Sequence, residues 1–246
     1  MISASRGSAE FSRKQYAAFK RFGIPELQQR RKVIVVDSEM SYEEAIGNAV
    51  VPSEGQAIHA KMKPLLRVVD VVYYGYDDRL HLGQIVVHRF IVKKVVTLFK
   101  KFLALKFPIY SVIPASKFKY IDEDSMRANN TTSYRPEKRS VHRVAVAIDF
   151  NPRTNPFDTR LYDGKPNRPR GAVYSPKAKG AIFEGSAVLR AITEEELEWG
   201  GGWGNRKAIP STNYFKDHDG YYDYQHVQPN DSWHDKFFAE QVPRGI

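Results

Sequence analysis

Apolar residues in the middle of the chain recur at helical spacing between lysines, and this pattern predicts one long helix. Its apolar face consists of Ile91, Val95, Leu98 and Phe102. The pair Phe107-Pro108 lies beyond the end of this helix, because the residue before a proline avoids helical backbone. Short runs rich in β-branched and aromatic residues, by contrast, predict strands. These runs cover residues 68–74, 85–87, 109–113, 144–150 and 221–227.

Three shorter helices are predicted from apolar spacing and end signals. A helical pattern of aromatic residues covers residues 9–22. Ser41 and Glu44 form a capping box before a helix near residues 42–50, since each side chain can satisfy a backbone N–H of the other residue. A similar pair, Thr193 and Glu196, predicts a short helix over residues 193–200, which ends at the three glycines of residues 200–202.

The order of these elements predicts the fold class. Several strands and one long helix without βαβ alternation are typical of an α+β fold with an antiparallel sheet. Residues 151–180 are rich in Pro, Gly and Asn and predict a long surface loop, a feature that is often functional. We divide the chain into an N-terminal extension or fold edge of unknown role (1–60), a domain that carries the chemistry (61–230) and a C-terminal tail (231–246).

Composition limits the kinds of site that the chain can build. It has no cysteine, which excludes disulfides, thiolate metal sites and cysteine nucleophiles. A metal site must therefore use His, Asp and Glu, ligands that suit zinc among other metals. No apolar run approaches the roughly 20 residues of a membrane span. The N-terminus lacks the apolar stretch of a signal peptide, so we expect synthesis in a bacterial cytoplasm.

The formal net charge of +10 favours polyanionic partners such as nucleic acid, anionic membrane or an acidic cell wall. The basic residues are spread over the chain, however, and form only small clusters. We therefore expect most of them to be solvated surface. The clusters are at residues 30–32, 93–94, 100–101 and 138–139.

The first candidate for chemistry is the segment that runs from Ser140 to Asp149. Strand alternation would put Ala145, Ala147 and Asp149 on one face. Because the alanine side chains are small, this face would leave room for a ligand to approach the sheet beside the carboxylate. His142 has the wrong parity to share this face. The chain must therefore turn or bulge between His142 and Ala145 if His142 and Asp149 are both ligands.

The second candidate is the pair Asp223 and His226. A carboxylate three residues before an imidazole can act as a general base beside a metal-bound histidine. A surface acid and a packed histidine would give the same pair. Taken alone, either segment is weak evidence of a metal site. Together they supply the inventory of a catalytic zinc site with an open fourth position: two histidines, an aspartate and a spare acid. The remaining histidines without such a neighbour are expected to be structural or surface residues: His59, His81, His88 and His234.

These segments resemble the motifs of the zinc D-alanyl-D-alanine carboxypeptidase family of peptidoglycan peptidases. That family includes vancomycin-resistance dipeptidases and phage L-alanyl-D-glutamate endolysins, and shares its fold with the hedgehog signalling domain. Its first motif, Ser-x-His-x-x-Gly-x-Ala-x-Asp, is matched by Ser140, His142, Ala147 and Asp149. Ala145 stands where the family prefers Gly. The second motif, Glu-or-Asp-x-x-His, is matched by Asp223 and His226.

Further segments agree with the family in the same order along the chain. Residues 199–203, Trp-Gly-Gly-Gly-Trp, are similar to a Trp-Gly-Gly-x-Trp segment that often precedes the second motif. Residues 125–135 resemble a stretch that ends in an active-site arginine, here Arg135, although the part from Asn130 to Arg135 is shorter than in the family. In all, the resemblance covers about residues 65–228.

The resemblance implies a hedgehog-like α+β fold with helices on one side of an antiparallel sheet. It also implies one Zn²⁺ ion per chain, held by His142, Asp149 and His226. Asp223 would take a proton from water and pass it to the leaving amine. Arg135 would stabilise the developing oxyanion or hold the substrate carboxylate. Ser140 would hydrogen-bond the substrate or orient its own loop.

The function implied is hydrolysis of a peptidoglycan stem-peptide bond at the cell wall, by a D,D-carboxypeptidase or an L-Ala-D-Glu endolysin of bacterial or phage origin. Its cleft would lie on the small-residue face, under the loop of residues 151–180. Anionic cell-wall polymers are candidate partners. Two alternatives stay open. One is a catalytically inactive zinc-binding module, which Ala145 and the short segment before Arg135 keep open. The other is a nucleic-acid-binding protein. Only the net charge supports it, because the sequence has no clustered aromatic-basic motif.

Overall fold

The computed structural model describes residues 13–24, 34–137, 140–158, 164, 166–205, 222–230 and 237. The α-helices within these ranges are α1 (Arg13–Arg21), α2 (Tyr42–Ile46), α3 (Gln56–Met62), α4 (Val92–Ala104), α5 (Asp122–Arg127) and α6 (Ala187–Glu194). The strands are β1 (Val35–Val36), β2 (Leu66–Tyr74), β3 (Leu80–His88), β4 (Ser111–Val112), β5 (Asn130–Thr131), β6 (Ile148–Asp149), β7 (Phe157–Asp158), β8 (Leu197–Trp199), β9 (Tyr222–Asp223) and β10 (His226–Pro229).

The first sheet, in the order β1-β3-β2, forms the centre of the hydrophobic core. Strands β2 and β3 pair antiparallel over nine residues each, from Leu66 opposite His88 to Tyr74 opposite Leu80. Every residue of β3 is buried, as expected for a strand covered on both faces. Helix α4 packs on β2 through a buried stripe, which confirms the long helix predicted from the sequence. The buried residues of this stripe are Val95, Leu98, Phe99 and Phe102.

The second sheet, in the order β6-β10-β8, is antiparallel throughout and positions the candidate site. Two smaller sheets pair β4 with β5 in parallel and β7 with β9 in antiparallel orientation. The predicted α+β class is therefore confirmed, although the strands divide into four small sheets. No helix in the described part of the chain is long and apolar enough to cross a membrane.

Two predicted elements of the C-terminal half are wrong. Residues 144–150 do not form one strand, because a 3-10 helix occupies Val141–Val144 and β6 contains only two residues. The helix predicted over residues 193–200 lies earlier in the chain, because α6 begins where the side chain of Ser186 accepts a hydrogen bond from the Leu189 N–H, and it ends at Glu194. Residues 197–199 are then free to pair with β10 as β8. A turn also divides the last predicted strand into β9 and β10.

In the N-terminal part, the Ser41–Glu44 capping box is confirmed, and α2 ends at Gly47, whose φ of 58° is left-handed. Of the helix predicted over residues 9–22, the structure describes Arg13–Arg21. Strand β1 pairs with β3, so this part of the chain adds an edge to the first sheet. The domain boundaries stay a prediction. Several predicted features lie outside the described residues: the basic clusters at 30–32 and 138–139, His234, and residues 159–163 and 165 of the long loop.

Candidate metal centre

His142, Asp149 and His226 come together at one edge of the second sheet. The β6–β10 pairing places His226 directly opposite Asp149. His142 arrives from the 3-10 helix that precedes β6. One ligand atom from each residue lies within 4.8 Å of the others, and all three side chains are buried. The structure thus brings together the three residues that the sequence predicts as metal ligands.

The hydrogen bonds of the two imidazoles determine which nitrogen faces the centre. His142 Nδ1 lies 2.7 Å from the carbonyl oxygen of Ser133, which can only accept. His142 therefore carries its hydrogen on Nδ1 and turns the lone pair of Nε2 inward. His226 Nε2 lies 2.9 Å from Oε1 of Gln228, an amide oxygen that also only accepts. His226 accordingly presents Nδ1 to the centre.

Three hydrogen-bond acceptors consequently converge. His142 Nε2 is 3.2 Å from His226 Nδ1 and 3.2 Å from Asp149 Oδ2, while His226 Nδ1 is 3.2 Å from Asp149 Oδ1. Acceptors so close repel one another unless a proton or a metal cation lies among them. Zinc–ligand distances of about 2.0–2.1 Å imply edges of about 3.3 Å in a tetrahedral site. The observed separations and the donor set therefore fit zinc.

A left-handed turn at Ala145 joins His142 to β6. Ala145 has a φ of 58°, and its N–H donates to the carbonyl oxygen of His142. This is the turn that the sequence requires between the two ligands, and it explains why Gly suits the position. Ser140 begins the 3-10 helix, where its Oγ accepts from the His142 N–H at 3.1 Å. Ser140 therefore orients its own loop.

The open small-residue face predicted at this strand is not present. Ala145 and Ala147 are fully buried in the hydrophobic core, because the strand that would have displayed them is replaced by the 3-10 helix and the turn. The part of the chain that the structure describes therefore has no open cleft lined by Ala145 and Ala147.

Asp223 lies next to the centre, on β9. Its Oδ2 is 3.9 Å from His226 Nδ1. Its Oδ1 is buried and makes no hydrogen bond to the described part of the chain. Burial raises the pKa of Asp223 to about 7, although the nearby His226 acts in the opposite direction. A carboxyl group with a pKa near neutrality suits proton transfer. Gly200 permits this placement, since a Cβ there would lie 2.6 Å from the backbone oxygen of Asp223.

Arg135 pairs with the carboxylate of Asp149. Its Nη1 is 2.8 Å from Asp149 Oδ2 and 2.8 Å from Asp122 Oδ1, and its Nε is 3.3 Å from Glu137 Oε1. Burial opposes the ionisation of Asp149, but the neighbouring His142 and the Arg135 guanidinium outweigh it and hold the pKa of Asp149 well below its usual value. The guanidinium therefore keeps the ligand carboxylate ionised.

Both tryptophans of residues 199–203 are buried, and Trp203 lies against the centre. Trp203 is 1% exposed, and its ring centroid lies 5.3 Å from that of His226. Trp199 is 6% exposed, and its Nε1 donates to the carbonyl oxygen of Tyr224 at 2.7 Å. Neither side chain has the open face that stacking on a substrate requires.

The histidines outside the motifs are structural where the structure describes them. His59 lies between Tyr134 and Asn48, and His81 lies between two aspartates, Asp37 and Asp77. His88 is fully buried and accepts from the Phe90 N–H, and burial lowers its pKa to about 4. These observations confirm the prediction.

Three residues around the centre are absent from the predicted site: Asp122, Ser133 and Gln228. Asp122 begins α5, as its acidic cluster predicts, but it also pairs with Arg135. The spacing of Gln228 from His226 could have identified it, because residues two positions apart on a strand share a face. Ser133 acts through its backbone and has no such signal.

A comparison with known families agrees with this geometry. Residues 134–210 match the family model described as D-alanyl-D-alanine carboxypeptidase. The match includes Arg135 and the first motif, and confirms the resemblance found in the sequence. It supports the general class of a metallopeptidase that acts on peptidoglycan. No curated protein and no solved structure matches the chain.

Proposed function

We propose that this protein is a zinc-dependent peptidase that hydrolyses a stem-peptide bond of peptidoglycan, either as a D,D-carboxypeptidase or as an L-Ala-D-Glu endopeptidase. One observation carries the proposal: the lone pairs of His142 Nε2 and His226 Nδ1 and the Asp149 carboxylate converge at separations that suit zinc. The family match supports the substrate class, and leaves the choice between the two bonds to experiment.

His142, Asp149 and His226 would hold one zinc ion through two imidazoles and a carboxylate. Zinc in such a site lowers the pKa of coordinated water to about 7 and polarises a carbonyl group. Arg135 pairs with the Asp149 carboxylate and favours its ionised form. The buried walls of the centre, among them Trp203, keep bulk water away and strengthen the electrostatic interactions within it.

The chain's own acid–base group is Asp223. Its carboxyl group lies beside His226 and has a pKa of about 7, so both protonation states are accessible near neutral pH. It would accept a proton as the attacking water is activated and deliver that proton to the leaving amine. Arg135 would add positive charge for the developing oxyanion or for the substrate carboxylate. Ser140 would hydrogen-bond the substrate.

The substrate would be met at the cell wall, where the net charge of +10 favours anionic wall polymers. Bacterial and phage origins fit this proposal equally. The second candidate function is a zinc-binding module without catalysis. Ala145 no longer favours it, because alanine adopts the required left-handed turn, and Asp223 lies where a base is needed. The nucleic-acid alternative gains no support from the family match.

Digestion of purified peptidoglycan, followed by mass spectrometry of the released fragments, tests the proposal. The wild-type protein should release fragments cut at one stem-peptide bond, and their masses identify that bond. Asp223→Asn is the matched control, because it preserves size and the three ligands. Intact peptidoglycan after digestion with zinc-loaded wild-type protein would favour the inactive module.

A further inference from the structure

A chain of two hydrogen bonds runs from Glu198 through Gln228 to His226. Gln228 Nε2 donates to Glu198 Oε1 at 2.8 Å, and Gln228 Oε1 lies 2.9 Å from His226 Nε2. We infer that Gln228, itself oriented by Glu198, is a positioning residue that fixes the metal-binding tautomer of His226. The inference rests on the proposed zinc site, which it deepens.

The register of the second sheet produces this chain. His226 and Gln228 are two residues apart on β10 and therefore share a face. Glu198 on β8 is the cross-strand partner of Gln228, just as Asp149 on β6 is the cross-strand partner of His226. Three paired strands thus align the Glu198 carboxylate, the Gln228 amide and the His226 imidazole in one hydrogen-bonded series, which ends beside the Asp149 carboxylate.

The direction of each hydrogen bond follows from the carboxylate at its outer end. An ionised Glu198 can only accept, so the amide nitrogen of Gln228 must face it and the amide oxygen must face His226. That oxygen can also only accept, so Nε2 of His226 must carry the hydrogen. The lone pair of His226 then lies on Nδ1, the nitrogen beside Asp149.

The two histidines differ in how their tautomers are fixed. His142 is fixed by the backbone carbonyl of Ser133, which no side-chain substitution removes. His226 depends on a buried side chain, since Gln228 is 2% exposed. Without that acceptor, the Nε2 hydrogen of His226 would be buried without a partner, and the other tautomer would become populated. Loss of such a partner typically weakens metal affinity 10–100-fold.

Three substitutions and two measurements test the inference. Gln228→Leu removes the acceptor, Glu198→Ala removes only the group that orients it, and Glu198→Gln keeps an acceptor for the Gln228 amide. Gln225→Leu is the matched control, because Gln225 is similarly buried, in the turn before β10, and bonds to Met126 instead of His226. Zinc affinity is measured by chelator competition. NMR of isotope-labelled histidine, without zinc and at alkaline pH, reports the tautomer.

We expect Gln228→Leu to weaken zinc binding about 10–100-fold and to shift His226 away from the Nε2–H form. Glu198→Ala should shift the same two quantities less, and Glu198→Gln, whose amide can donate as well as accept, should lie between Glu198→Ala and wild type. Gln225→Leu should resemble wild type. If Gln228→Leu does not fold, Glu198→Ala and Glu198→Gln still decide the matter through the tautomer. An unchanged His226 tautomer in Gln228→Leu would overturn the inference. If Gln228→Leu does not fold, an unchanged tautomer in Glu198→Ala would overturn it. Absence of zinc from wild type would instead overturn the proposed function, and the tautomer measurement would still stand.

Discussion

Asp149 and His226 face each other across the β6–β10 pair, with Oδ1 of the carboxylate 3.2 Å from Nδ1 of the imidazole. The two residues are 77 positions apart in the chain. Strand pairing rather than a local motif therefore brings the two halves of the centre together. Variants that leave this sheet intact can probe single residues of the centre.

Replacing Asp223 with asparagine should separate chemistry from metal binding. Asp223 lies 3.9 Å from His226 and is assigned to proton transfer, so Asp223→Asn should retain zinc and lose activity. Loss of a general base typically lowers the rate 10²–10⁴-fold. Turnover of a soluble stem peptide and zinc content are measured on the same sample. Turnover close to wild type would remove Asp223 from the mechanism, and loss of zinc would make it a ligand.

The same substitution should change how stability depends on pH. The folded-state pKa of Asp223 is raised from 3.8 to about 7, so folding favours the protonated carboxyl group. Asp223 therefore lowers the free energy of unfolding progressively as pH rises from about 4 to about 7, by up to a few kcal/mol. Without zinc, Asp223→Asn should be more stable than wild type at pH 8, by a margin that shrinks towards pH 4.

Urea unfolding of EDTA-treated protein across this pH range measures the effect. Asp78→Asn is a suitable control, since the Asp78 side chain is 83% exposed. A stability difference between wild type and Asp223→Asn that does not vary with pH would contradict the raised pKa.

Ala145 offers a test of the turn between the two motif ligands. Its φ of 58° is left-handed, a conformation that costs an L-residue roughly 1–2 kcal/mol. Glycine avoids this cost but loses more entropy on folding, roughly 0.5–1 kcal/mol. Glycine also removes a methyl group that is buried in the core, which costs about 0.8 kcal/mol. Ala145→Gly should therefore change stability by less than about 1 kcal/mol, and Ala145→Val should destabilise the protein. Thermal unfolding with zinc bound checks both, and a large loss in Ala145→Gly would show that the methyl group has a packing role.

The basic surface should assist attachment to the wall and take no part in catalysis. The net charge of +10 acts over a Debye length of roughly 8 Å in physiological salt and about 3 Å at 1 M. Binding to intact walls should weaken as salt rises, while cleavage of a small soluble stem peptide should change little. Wall binding that is indifferent to salt would contradict this role, and tight salt-dependent binding of duplex DNA without peptide cleavage would favour the nucleic-acid alternative.

The sequence predicts the ligands better than it predicts their surroundings. His142, Asp149 and His226 are recognisable because each lies in a short motif of fixed spacing. The strand over residues 144–150 is predicted wrongly, because the apolar residues there are buried by a turn rather than by strand alternation. Periodicity cannot distinguish these two ways of burying a short apolar segment.

The sequence does not predict contacts between distant segments. Asp122 has a local explanation as the first residue of a helix, and nothing in the sequence indicates that it also pairs with Arg135. The pairing of Gln228 with Glu198 depends on the register of two strands, which is set by the packing of the whole sheet. Long-range pairing of this kind leaves no spacing signal in one sequence.

Zinc content is the most direct test of the central claim. Elemental analysis of protein purified without added metal should find close to one zinc per chain in wild type and almost none in His142→Ala and His226→Ala. His81→Ala, which removes a buried histidine outside the centre, should retain zinc. A wild-type protein without zinc, or full zinc occupancy in both ligand variants, would contradict the assignment of His142, Asp149 and His226 as a zinc site.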